Sequence, residues 1–107
     1  MANSFKNAKA DLTTTDATTL YTVPSATTTI VKSILVSEDS GNADTITVTL
    51  TNASSAVFSL FKVKAVAANT TIELLTAPLV VTESEIIKVT AATANRLHVV
   101  ASLLEVS

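Results

Sequence analysis

Thr45-Ile46-Thr47-Val48-Thr49-Leu50-Thr51 is the stretch that decides the fold class. In an extended chain Ile46, Val48 and Leu50 fall on one side and four threonines on the other. That period of two marks a half-buried strand. Wound as a helix, the same residues would scatter their apolar groups around the whole circumference. Threonine fills about one position in six, and its branched Cβ suits a pleated surface. Outward from this segment the pattern repeats. Thr19 to Val23 reads as a short strand stopped by Pro24. Thr28 to Ser37 carries Ile30, Val31, Ile34, Leu35 and Val36, so both of its faces are expected to be covered. Val57 to Ala65, Thr71 to Leu75 and Ile86 to Thr90 follow, with Phe58 and Phe61 expected in the core. Arg96 to Val106 closes the series with Leu97, Val99, Ala101 and Leu103 in phase. Turn chemistry separates these runs, for example Ser40-Gly41-Asn42 and Ala67-Ala68-Asn69, where Gly and Asn tolerate positive φ. With a strand near Phe5 to Leu12, about eight strands result. The expectation is all-β: an antiparallel β-sandwich or jelly-roll.

The chain has 107 residues, enough for one domain and one core. Hydrophobic residues make up 48% and charged residues 15%, against a usual charged share of about 25%. The absence of cysteine excludes a disulfide framework, a thiolate metal site and a cysteine nucleophile. A net charge of −2 and 4% aromatic residues leave neither the positive field nor the stacking platforms that nucleic-acid grooves use. No window approaches a membrane-spanning run or the apolar core of a secretory signal. The expected site of synthesis is therefore a cytoplasm.

Several side chains invite a chemical reading. His98 is the single histidine and alternates with Leu97 and Val99, which makes it a surface or interface residue of a strand rather than a catalytic imidazole. Glu38, Asp39, Asn42 and Asp44 crowd one loop, where oxygen ligands could hold Ca²⁺ or simply bond a hairpin turn. Glu83 and Glu85 stand two apart, as a glycosidase pair could, yet nothing around them suggests a cleft. Tyr21 is the one residue a sugar could stack on. The expectation is no catalytic residue, no cofactor and no metal.

Residues 1–17 are polar, with isolated Phe5 and Leu12, and read as an N-terminal arm tethered by a few side chains to residues 18–107 or to a neighbour. Phe5, Lys6 and Leu12 are the expected partner contacts of this arm. Removing residues up to Leu12 should then leave the monomer folded. Lys62 and Lys64 read either as guards of a sheet edge or as contacts for an acidic partner surface. A surface so poor in charge is what a subunit presents when copies of itself or a larger assembly cover it, because interfaces deplete charge at their centres.

Asn3-Ser4-Phe5-Lys6-Asn7-Ala8, Leu20-Tyr21-Thr22-Val23-Pro24, Ile30-Val31-Lys32-Ser33-Ile34, Ala68-Asn69-Thr70-Thr71-Ile72-Glu73-Leu74-Leu75, Lys88-Val89-Thr90-Ala91-Ala92 and Leu97-His98-Val99-Val100-Ala101-Ser102 form a series that resembles small all-β virion proteins of tailed bacteriophages. The likeness runs over nearly the whole chain and consists of strand and turn patterns. It implies a many-copy particle protein: a capsid decoration (cement) protein on the head, or a tail, neck or fibre-associated module. The implied partners are the major capsid protein or other virion proteins and copies of the chain itself, with a trimer suiting a three-fold capsid site. A carbohydrate-binding adhesin domain is the alternative from another class.

Overall fold

The computed structural model describes residues 2–107, and none of them is helical. Nine strands form: β1 (Asn3–Asp11), β2 (Thr18–Thr22), β3 (Thr28–Glu38), β4 (Asp44–Thr51), β5 (Val57–Val66), β6 (Thr71–Glu73), β7 (Leu79–Val81), β8 (Ile86–Ala91) and β9 (Leu97–Val106). One sheet runs β1-β9-β3, with β6 and β7 both paired to the far edge of β3; the other runs β2-β8-β4-β5. All pairings are antiparallel. The expected antiparallel β-sandwich is the fold. β6 and β7 lie on different parts of β3, and β7 is a ninth strand beyond the eight expected.

Alternation builds the core. Ile46 and Val48 of β4, Ile87 and Val89 of β8, and Leu97, Val99 and Ala101 of β9 are wholly buried. The β4 and β8 residues come from one sheet; those of β9, with Val31, Ile34 and Val36 beside them on β3, come from the other, and all belong to one core cluster. The threonines at 45, 47, 49 and 51 take the other face of β4, as their phase requires. Turns sit where the chain can reverse: Gly41, Asn69 and Asn95 all have positive φ.

Three expectations are corrected here. Residues 3–12, within the expected arm of residues 1–17, are not held by side chains alone. Residues 3–11 are an edge strand paired with β9 along their whole length, from Asn3 opposite Val106 to Asp11 opposite His98. Backbone hydrogen bonds, which need no apolar side chain, hold this polar segment. Leu12 continues it: its N–H donates to the Leu97 carbonyl at 3.0 Å, and its side chain is fully buried. Deleting residues up to Leu12 therefore removes part of the sandwich. Second, β3 is covered on one face only. Thr29, Val31, Ile34, Val36 and Glu38 are buried, while Leu35 on the opposite face is exposed. Third, Phe58 is more than half exposed, and only Phe61 packs against the core. β5 is an edge strand with two register shifts against β4, so alternation along it does not map onto a single face.

Candidate functional site

The acidic side chains that invited a chemical reading are engaged with local donors. Glu38, almost fully buried at the end of β3, accepts hydrogen bonds from the N–H groups of Ser40 (2.9 Å), Gly41 (3.0 Å), Asn42 (3.2 Å) and Asn69 (3.1 Å), and from the Ser40 hydroxyl. Burial pushes its carboxyl up, but these donors outweigh burial and hold it down at about 2. Asp44 accepts the Thr93 N–H at 3.1 Å, and Asp39 lies 3.6 Å from His98 Nδ1. The loop thus ties turns together, and its carboxylates do not converge. Among the described residues no group of three or more His, Asp or Glu side chains is placed to hold a metal ion. Glu83 accepts the Ala26 N–H at 3.0 Å, and Glu85 accepts the Thr82 N–H at 2.7 Å; both fasten corners. His98 sits on the outward face of β9, 3.2 Å from Asp11 Oδ1 across the β1–β9 ladder. The hollow between β5 and the segment before β7 is lined by Leu60, Phe61, Leu74, Leu75, Pro78 and Leu79, with no titratable group.

Tyr21 is no sugar platform. Its hydroxyl crosses from β2 to the other sheet, where it donates to Glu105 Oε2 at 2.5 Å and lies 2.8 Å from Thr29 Oγ1. Lys6 closes the group with an ion pair to Glu105 at 2.9 Å. Burial, and after it the bond to Glu105, push the Tyr21 hydroxyl up to about 12, with the Thr29 bond opposing. The bonds from Tyr21 and Lys6 hold Glu105 below the usual carboxylate range against its burial. Because the raised value favours the neutral phenol, this contribution to stability is complete below pH 10 and is lost as pH rises towards 12. Tyr21 is the single tyrosine. Ultraviolet titration of the folded protein is expected to show one midpoint near 12; a midpoint at 10 would contradict the inter-sheet bond.

Of the expected partner contacts, Phe5 lies on the outward face of β1, three-quarters exposed, with Lys32 Nζ 5.5 Å from its ring centroid. Lys6 is committed to Glu105, and the Leu12 side chain is fully buried in this chain's own core, which leaves it no exposed surface for the contact expected of it. Lys62 and Lys64 are both exposed on edge strand β5, Lys62 within a bulge and Lys64 opposite Ile46. Bulges and lysines together blunt a free edge, which favours the edge-guard reading over the acidic-partner one.

What the structure brings together is a face. Strand register places Phe5 opposite Leu104, Leu104 opposite Ile30, and Ile30 opposite Val80, one apolar row across β1, β9, β3 and β7. Lys9, Val100, Leu35 and Glu73 form a second row across β1, β9, β3 and β6. Between the two rows lie Asn7, Ser102 and Ser33. Phe5, Val80, Leu35 and Val100 are exposed, Phe5 at 75% and Val80 at 57%. Sequence reading found Phe5 and missed the rest. The signal was present in the unbroken apolar pairs Leu103-Leu104, Val99-Val100 and Ile34-Leu35, which a strand with one wet face does not need.

No protein-family model and no curated protein matches the chain. Among solved structures, one from work on Bacillus endospore appendages, described as a novel family of disulfide-linked pili, superposes with a TM-score of 0.60. The match covers 99% of this chain and 87% of that one at 9% sequence identity. At that identity the likeness is one of fold, and it joins the two-sheet, all-β architecture of this chain to that of an appendage protein.

Proposed function

We propose that this protein is a structural subunit of a many-copy assembly and, within that class, a decoration protein on the head of a tailed bacteriophage, where it bridges capsid subunits. The observation that carries the reading is the apolar row Phe5–Leu104–Ile30–Val80 on the outward face of the first sheet, exposed at Phe5 and Val80 and half-buried at Leu104 and Ile30. The largest apolar patch on a monomer is often its functional one, and this row is rimmed by polar groups. The scarcity of charge supports the same conclusion. A sandwich in which Glu38, Asp44, Glu83 and Glu85 fasten turns and corners suits a part whose work is mechanical.

The placement on a phage head rests on the sequence resemblance. The fold shared with a protein of disulfide-linked pili supports the coarser reading, a subunit of an assembled structure, and favours a filament or tail-type module as the second reading. The chain has no cysteine to form a disulfide of that kind, and the contacts proposed for it are apolar packing and strand pairing. Quantitative mass spectrometry of purified particles separates the readings. A copy number comparable to the major capsid protein is expected for head decoration; a small fraction of it would move the chain to the tail or neck. Absence from particles would overturn the proposal.

A further inference from the structure

We infer that the outward face of the β1-β9-β3 sheet binds a second copy of this chain about a two-fold axis parallel to the strands, midway between β9 and β3. The inference goes beyond the assembly reading and stands on the register of one sheet. An isologous contact requires a patch that complements itself when turned over. Such an axis lays every cross-strand row over its own reverse. The first row, Phe5–Leu104–Ile30–Val80, is apolar from end to end, so Phe5 meets Val80 of the second copy and Leu104 meets Ile30. The second row begins at Lys9 and ends at Glu73. Reversed, it sets each lysine against the glutamate of the other copy, with Val100 over Leu35 between them.

Among the described residues Lys9 makes no ion pair. Glu73 keeps its charge: burial is outweighed by hydrogen bonds from the Ser33 hydroxyl and the Ile34 and Leu75 N–H groups, which hold its carboxyl below the ordinary range. The outward charges of these strands balance, Lys9 and Lys32 against Asp11 and Glu73. His98 stands between Asp11 and Asp39 at one end. The alternative in-plane axis, across the strands, fails this test. Placed through the Asn7–Ser102–Ser33 row, it would lay Phe5 over Lys9 and Val80 over Glu73, leaving both charges against apolar groups; placed one step further along, it would set the apolar row against Asp11–His98–Ser37–Thr71.

Size is consistent with a weak, reversible dimer. Strands about 4.8 Å apart and ~3.3 Å per residue give this face on the order of 500 Å² per copy. Two copies then bury about 1,000 Å², the lower bound for a specific interface.

Sedimentation of the full chain across a concentration series tests the inference. A monomer–dimer equilibrium is expected, weakened at least tenfold by Val100→Lys, an exposed position whose change should leave the unfolding transition in place. Geometry is tested by a short bis-maleimide on single-cysteine variants, since the chain has no other thiol. An equimolar mixture of Phe5→Cys and Val80→Cys is expected to give covalent dimers. Neither alone should, because like sites lie three strand spacings, ~14 Å, apart across the axis. A monomer at every concentration, another stoichiometry, or equal cross-linking of like sites would overturn the two-fold face. A monomer that still decorates particles would leave the assembly reading intact, and a dimer absent from particles would do the reverse.

Discussion

Deletion of residues 1–12 is expected to abolish the cooperative unfolding transition. The deletion strips a nine-residue strand from β9 and takes Leu12 out of the core. Leu12 alone, truncated to alanine, should cost about 2–5 kcal/mol, the usual range for a buried leucine that leaves a cavity. Ala8 and Ala10, which pack against the core from the same strand, go with it. The ladder hydrogen bonds contribute about 1 kcal/mol each, against a total stability of roughly 5–15 kcal/mol for a domain. Circular dichroism and thermal melting of the truncated chain check the result. Were these residues only an arm, truncation would leave the transition untouched and impair assembly alone.

Glu38→Ala is the second large effect, a fall in melting temperature on the order of 10 °C or more. The carboxylate gathers five donors from two turns that are about 30 residues apart in sequence, and alanine strands them in a nearly closed site. The pH dependence has a definite sign. The folded carboxyl titrates at about 2 against an ordinary 4.5. Its stabilisation is complete above 4.5 and is lost as pH falls towards 2, because there the unfolded chain binds a proton the native one refuses. Glu73 and Glu105 are shifted in the same direction and add to the loss. Melting temperature is therefore expected to hold steady above pH 5 and decline below 4.5, with a shallower decline in Glu38→Gln. An acid limb unchanged in that variant would show that Glu38 does not carry it.

Strands with clean alternation were legible: β4, β8 and β9 fall where the phase of Ile46, Ile87 and Leu97 puts them. β7 was not, because three residues after Pro78 are too few to display a period. β1 escaped as a full strand for a different reason. Its inward positions toward the core are the small Ala8 and Ala10, and its outward ones are mostly polar, so the hydrophobic signal is absent although the backbone pairs throughout. The acidic loop was visible as a cluster, yet its purpose depends on the Asn69 turn folding back onto Glu38, a contact that local sequence does not encode. The exposed face was half visible. The apolar surplus of Thr28 to Ser37 implied a second cover, and this chain does not supply it.

The cover is the central claim. Cryo-electron microscopy of the purified particle that carries this chain tests it most directly. The account predicts many ordered copies, with Phe5, Ile30, Leu104 and Val80 in each packed against another subunit. Copies whose β1-β9-β3 sheet faces open solvent, or a chain found only free in solution, would contradict it.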